Sequence, residues 1–336
     1  MNSNDIAKLA NVSRSTVSRV INNYSNVPEE TRQKVQAVID AYGYKPNASA
    51  RTLAGKSNDI IGLFIADINH TNSKEDWIGI NAPYNAKLVA EVIKSCKKRD
   101  YAVLVNTITD PSEYAVMEQY FQNRTIFGGV LVGFPYGDAY INQIINDGYN
   151  RVFIDQFTDE VSSQLAVKQV KCDDRNCGYK ATEYLIQLGH RSILFIEGDQ
   201  RLSALERKKG YTQAIADYGI QEGYTVKGLY REDIAYKETK AFLKAHQPTA
   251  IFASNDIMAL GAIRAAEELG INIPQDLSII GVDNLKVTKW QDILTTMAFS
   301  AETIADLAVQ SLFQAHGTKQ SHCQAQLIER SSCRKI

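Results

Sequence analysis

The sequence has little of what marks several common protein classes. It carries five cysteines in 336 residues, at positions 96, 172, 177, 323 and 333, an odd number at irregular spacing. Cys172 and Cys177 lack the close pairing of a zinc knuckle, and no histidine lies near to complete one. The five therefore read as free cytoplasmic thiols. The five histidines are scattered without metal-ligand spacing. No P-loop, G-x-S-x-G or G-x-G-x-x-G motif occurs, so no enzyme chemistry and no cofactor is expected. The opening "MNSNDIAKLA" lacks the basic start and apolar run of a signal peptide. No stretch approaches the roughly 20 apolar residues of a membrane span. A cytoplasmic location is expected.

One further absence is local. Residues 6–28 contain no acidic side chain. Over residues 1–58, eight basic residues face four acidic ones, so a basic end precedes an acidic body. That asymmetry suits an end that meets a polyanion. The same stretch reads as three short helices. "NDIAKLA" has Asn4 or Asp5 as its start signal and Ile6, Leu9 and Ala10 on one face. "VSRSTVSRVIN" follows after a tight connection, with Ser13 as N-cap and Val17, Val20 and Ile21 at helical spacing. The third opens at Pro28-Glu29-Glu30, where acid suits the positive end of the dipole, and stops at Gly43.

Helix, tight turn, helix is the helix-turn-helix pattern, whose second helix enters the major groove. The apolar stripe of that helix packs inward. Its other face carries Arg14, Ser15, Thr16, Ser18 and Arg19. Hydroxyls bond phosphate or base edges, and arginine forks onto guanine. A merely solvated face would mix glutamate with lysine instead.

From residue 59 the pattern changes. Apolar runs such as "IIGLFIAD", "GGVLVGF", "RVFIDQF", "SILFIEG", "TAIFASN" and "LSIIGVD" alternate with helical stretches. Continuous buried runs between helices imply parallel sheets covered on both faces, with ligand beyond the strand carboxyl ends. There are too many strands for one small sheet, and two sheets across a cleft fit well.

The ordered series "DIAKLANVSRSTVSRVIN", "VPEETRQKV", "YGYKPNASARTLAGKS" and "IIGLFIAD" resembles the N-terminal signature of the LacI/GalR family of bacterial transcription repressors. "CDDRNCGYKATEYLIQLGHRSILFIEG", "ERKKGYTQAI", "AIFASNDIMALGAIRAAEELGINIPQDLSIIGVDN" and "LTTM" are similar, in order, to its effector-binding core. The resemblance implies a small all-α helix-turn-helix domain over 1–46 and a hinge helix with linker over 47–58. It implies an α/β two-lobed core over 59–336, like periplasmic sugar-binding proteins. The lobes fall near 59–158 with 290–317, and 159–289 with 318–336. The positions matching Arg14, Ser15 and Arg19 read base edges in the family. Asn47, Ala50, Arg51 and Leu53 lie on the matching hinge, where Leu53 would wedge into the central minor-groove step.

The family's effector contacts carry over to Arg207, Asn255 and Asp283, with Asp155 at a less regular position and Tyr84 as a roof over the pocket. Asp accepting from adjacent hydroxyls and Arg or Asn returning donors suits a sugar or sugar derivative. Asp256, beside Asn255, could instead be a helix N-cap. The aromatic that closes such pockets from the second lobe has its nearest counterpart at Ile234 or Tyr236. Two departures stand out: a long loop holding Trp77 after the first core strand, and "ILTT" without the family's proline. The expected protein is a homodimeric repressor of near-palindromic operator DNA, with no added tetramerisation segment. A sugar-binding transport protein would share the core but not the basic helix-turn-helix.

Overall fold

A computed structural model describes residues 2–21, 24–44, 58–68, 81–145, 147–164, 166–286, 289–314 and 321–336. The hinge residues Asn47, Ala50, Arg51 and Leu53, and Trp77, lie outside the described residues. The chain divides into two compact units, residues 1–60 with 120–127, and 61–119 with 128–336.

The N-terminal helices are α1 (Ser3–Leu9), α2 (Arg14–Ile21) and α3 (Glu29–Tyr42). Asn2, rather than Asn4 or Asp5, caps α1. Its Oδ1 accepts from the Asn4 amide at 2.8 Å, and Asp5 reaches back to the Asn2 amide at 2.8 Å. That reciprocal box needs the acid three residues after the cap, which is where Asp5 stands. Ser13 caps α2 as expected, its Oγ accepting from the Thr16 amide at 3.1 Å. Gly43 ends α3 in the left-handed conformation, φ 58°. Ile6, Ala7, Ala10, Val17, Val20, Val27 and Val35 form the core of these helices, with Ile21 packed against it. Each fully buried valine or isoleucine is worth about 1.5–3 kcal/mol.

The second part of the chain alternates strand and helix. Its first half runs β1 (Ile60–Ala66), α4 (Pro83–Lys97), β2 (Ala102–Ile108), α5 (Tyr114–Gln122), β3 (Gly128–Val132), α6 (Ala139–Ile144), β4 (Arg151–Ile154), α7 (Asp159–Gln164) and β5 (Gln169–Cys172). Then come α8 (Asp174–Gln187), β6 (Ser192–Glu197), α9 (Leu202–Asp217), β7 (Glu222–Lys227), α10 (Glu232–Ala245), β8 (Ala250–Ala253), α11 (Asp256–Glu268) and β9 (Ser278–Val282). The chain closes with β10 (Thr295–Ala298), α12 (Ala301–Leu312), β11 (Ser321–Cys323) and β12 (Gln326–Ile328).

The strands make two six-stranded sheets, ordered β11-β5-β4-β3-β1-β2 and β12-β10-β9-β8-β6-β7. The paired strands β1/β3, β3/β4, β6/β8 and β8/β9 are parallel, as continuous apolar runs require. The β10/β12 pair is antiparallel. In the second lobe Leu194, Ile196, Ile251 and Ile279 meet Ala259, Ala262 and Ala266 of α11 in one core, small residues letting the helix lie close to the sheet.

The chain crosses between lobes later than the sequence suggested. β5, expected in the second lobe, pairs with β4 in the first. β10, expected in the first, pairs with β9 in the second. The crossings therefore fall near 173, 299 and 324–325 instead of 158, 289 and 317. The cause is local: "QVKC" and "TTMA" carry lysine and threonines, so neither reads as an apolar run, although Thr295 and Thr296 are fully buried.

Candidate functional site

On α2 the polar face is the one the sequence describes. Arg14, Ser15, Ser18 and Arg19 are exposed while Val17 and Val20 are buried. Thr16 is half-buried and its hydroxyl lies 2.8 Å from that of Ser13, so it serves the start of the helix. Arg14 Nε donates to Ser3 Oγ at 3.2 Å, which ties α2 to α1. This face presents guanidinium and hydroxyl donors and no carboxylate, the chemistry that suits phosphate oxygens and base edges.

The second site is a cavity between the lobes of the core. It is lined by Tyr84 from the first turn of α4, Asp155 just after β4, Arg207 of α9, Asn255 just after β8 and Asp283 just after β9. All five candidate effector residues meet there. Asp155 and Asp283 follow strand ends directly and Asn255 lies one residue further on, which is where open parallel sheets present side chains to a ligand.

Each is held by neighbours. Arg207 Nε donates to Asp174 Oδ1 at 2.8 Å, and Nη1 donates to the Ser254 carbonyl at 2.6 Å. Asp155 Oδ1 accepts from the Cys172 amide at 2.5 Å. Asn255 caps α11, its Oδ1 accepting from the Met258 amide at 2.9 Å. Asp256 is thus not the cap. It is buried, accepts from the Leu285 amide and the Thr296 hydroxyl, both at 2.8 Å, and so fixes the loop that carries Asp283. Gly281 makes this possible, since a Cβ there would lie 2.1 Å from Asp256 Oδ1. Asp155 and Asp283 adopt φ values of 53° and 113°. Left-handed backbone at non-glycine residues is strained by about 1–3 kcal/mol and clusters at binding sites.

The electrostatics follow from depth. Asp283 faces the cavity yet lies deep in the protein; burial pushes its carboxyl up to about 6, against the pull of Arg207. Burial also raises Asp155, opposed by the hydrogen bonds from Cys172. Asp256 is pushed up to about 8 by burial, and next by the charge of Asp283. The Cys172 thiol on the cavity wall is raised well above its ordinary value by burial, which makes it a poor nucleophile.

Several lining residues gave no sequence signal. Arg201 lies one residue before α9, with Nε 3.0 and 2.9 Å from the two Asp199 oxygens. Its guanidinium covers the Tyr230 ring at 4.5 Å. Tyr230, not Ile234 or Tyr236, is the second-lobe aromatic at the cavity. Tyr236 instead donates to Glu268 at 2.6 Å under the Arg264 guanidinium. Asp67, Phe134 and Phe299 complete the wall. Asp67 and Phe134 directly follow strand β1 or lie just beyond β3, the one positional clue they offered.

Among the described residues, no helix is long and apolar enough to cross a membrane, and no cluster of side chains could hold a metal ion. Residues 4–47 match the lacI family of bacterial regulatory proteins, and residues 182–333 match the periplasmic binding protein-like domain. The chain is 32% identical to the HTH-type transcriptional repressor PurR of Klebsiella pneumoniae (strain 342), over 98% of this chain and 95% of that protein. It is 30% identical to the probable HTH-type transcriptional repressor ExuR of Bacillus subtilis, over 92% and 89%. These relatives are transcriptional regulators, not enzymes. Its fold is that of the Lac repressor dimer bound to operator and the anti-inducer ONPF, with a TM-score of 0.77 at 24% identity over 98% of both chains. With a helix-turn-helix over its first residues and a two-lobed α/β core later in its sequence, this chain belongs to the lacI family of bacterial regulatory proteins, as a DNA-binding transcriptional regulator.

Proposed function

We propose that the protein is a cytoplasmic repressor that binds a near-palindromic duplex as a homodimer, and that a small molecule in the inter-lobe cavity sets its DNA affinity. One helix-turn-helix reads half a site, so two-fold pairing matches a two-fold operator. Arg14, Ser15 and Arg19 read base edges, and Thr16 orders the start of the reading helix. Asn47, Ala50, Arg51 and Leu53 form the minor-groove hinge. Tyr84, Asp155, Arg207, Asn255 and Asp283 hold the effector, a sugar or sugar derivative.

The observation that carries this reading is the convergence of those five residues, drawn from both lobes, on one cavity. A ligand touching both lobes favours one lobe arrangement over another, and it shifts DNA affinity by its differential affinity for the two. The DNA half is tested with Arg19→Ala. Binding to a duplex selected from a random pool should weaken by roughly 1–3 kcal/mol, with relaxed preference at one base pair per half-site. Equal loss on selected and random duplexes would reduce Arg19 to a phosphate contact.

A further inference from the structure

We propose that Ser3 is a positioning residue for base choice: it holds Arg14 by Nε and so aims the two terminal nitrogens of that arginine at one guanine in each half-site. The inference rests on the duplex-reading role given to α2 above and narrows which of its side chains choose the base.

Geometry is the first argument. Arg14 opens α2 and is exposed, and its Nε donates to Ser3 Oγ at 3.2 Å. Ser3 opens α1 and is half-buried. The capping box pins the turn on either side of it. Asn2 Oδ1 accepts from the Asn4 amide at 2.8 Å and from the Asp5 amide at 3.3 Å, while Asp5 Oδ2 accepts from the Asn2 amide at 2.8 Å. Ile6 of α1 and Val17 of α2 are fully buried in one core, which fixes the two helices against each other. The Ser3 hydroxyl is therefore a fixed point, and a long side chain rich in rotamers is tied to it.

Hydrogen-bonding capacity is the second. A guanidinium carries its N–H donors in a rigid fork. With Nε–H on Ser3, those of Nη1 and Nη2 remain, and their outer pair points one way, matched to the O6 and N7 acceptors of guanine. Among the described residues Arg14 makes no ion pair. Asp5, the nearest acid in the sequence, is turned to the Asn2 amide. The neighbouring Ser15 has less to offer. Ser13 Oγ accepts from the Thr16 amide at 3.1 Å and lies 2.7 Å from Ser15 Oγ and 2.8 Å from Thr16 Oγ1. The hydrogen and both lone pairs of Ser13 are thereby used, and Ser15 gives part of its own capacity to the cap. In the first turn of α2 the larger and better-directed donor set is that of Arg14.

Pre-orientation explains why this matters for choice rather than for grip. An untethered arginine loses rotamer freedom when it docks, and that loss weakens the complex. Tied to Ser3 beforehand, Arg14 has less to lose. The gain is realised where the fork meets both acceptors of the right base, and not where the side chain rests against phosphate. Ser3 thus acts on selectivity and leaves general affinity alone.

The test uses the full chain, fluorescence anisotropy at one fixed salt concentration, and a duplex that the wild type selects from a random pool. Ser3→Ala should weaken binding to that duplex about three- to tenfold and leave a random duplex unchanged, at an unchanged unfolding midpoint. Arg14→Ala should lose roughly 5–150-fold on the selected duplex, the range for one bidentate contact. The double variant should bind no more weakly than Arg14→Ala alone, because Ser3 acts through that arginine. Ser3→Thr keeps the oxygen and should restore the preference. Exchanging base pairs in turn should place the preference lost in Ser3→Ala and in Arg14→Ala at the same G·C pair. A guanine analogue lacking the N7 acceptor at that pair should weaken the wild type. Equal loss on selected and random duplexes, additive losses in the double variant, or preferences lost at different pairs overturns the role given to Ser3. Uniform weakening by Arg14→Ala across duplexes assigns it to phosphate and overturns the aim at guanine. A wild type that binds selected and random duplexes alike removes the sequence-reading function itself. Discrimination that survives Ser3→Ala unchanged removes this inference alone.

Discussion

Arg207→Ala is expected to destabilise the core by about 3–5 kcal/mol, the range for leaving one member of a buried ion pair alone. Arg207 is 7% exposed, and its partner Asp174 is 3% exposed. Burial raises the Asp174 carboxyl to about 8, and Arg207 opposes that rise by its charge and its hydrogen bond. The Ser254 carbonyl loses its donor at the same time. The same change removes a cavity donor, so ligand binding should vanish together with the stability. A double variant, Arg207→Ala with Asp174→Ala, should lose less than the two single losses added, because the stranded charge is gone. Urea unfolding of the four proteins reads this directly. A loss under 1 kcal/mol in Arg207→Ala would mean that the pair is solvated and that the cavity is wetter than its lining suggests.

Asp256→Ala should cost about 1–3 kcal/mol for each of the two donors it strands, the Leu285 amide and the Thr296 hydroxyl. It should also loosen the strained turn at Asp283, so ligand affinity falls although Asp256 does not line the cavity. The pH dependence has a definite sign. In the folded protein the Asp256 carboxyl is raised from 3.8 to about 8, so the folded state holds a proton that the unfolded chain has released. Stability contributed in this way falls as pH rises through that window. Asp256→Asn keeps an acceptor oxygen and cannot ionise. Its stability should decline less steeply than wild type between about pH 4 and 8, as followed by urea midpoints. Identical slopes would place the titration elsewhere.

Legibility divided along physical lines. Asp155, Asn255 and Asp283 were readable because a parallel strand ending in a polar residue delivers that residue to a known edge of the sheet. Arg207 was readable from its place four residues before Tyr211 in the matched motif. The face of α2 was readable from periodicity and from the missing acids.

Tyr230 was not readable. Its position depends on two left-handed residues that are neither glycine nor asparagine, and on space opened by Gly198, 32 residues earlier in the sequence. Arg201 precedes a helix and looks like any surface cation until Asp199 and the Tyr230 ring are seen around it. The lobe crossings were misplaced because β5 and β10 are strands held by neighbours rather than by their own apolar content. Asn2 was passed over as a cap because the first acid drew attention to Asp5 itself, when Asp5 serves the cap from inside the helix.

The central claim is that one molecule carries two coupled sites. The most direct measurement determines duplex affinity by fluorescence anisotropy with and without saturating ligand, and ligand affinity by calorimetry with and without saturating duplex. Coupling through two lobe arrangements requires the same factor in both directions, of the order of 5–150-fold for a typical regulatory protein. An equal change in the two affinities is the result this account predicts. A ligand that fills the cavity and leaves duplex affinity unchanged would contradict it.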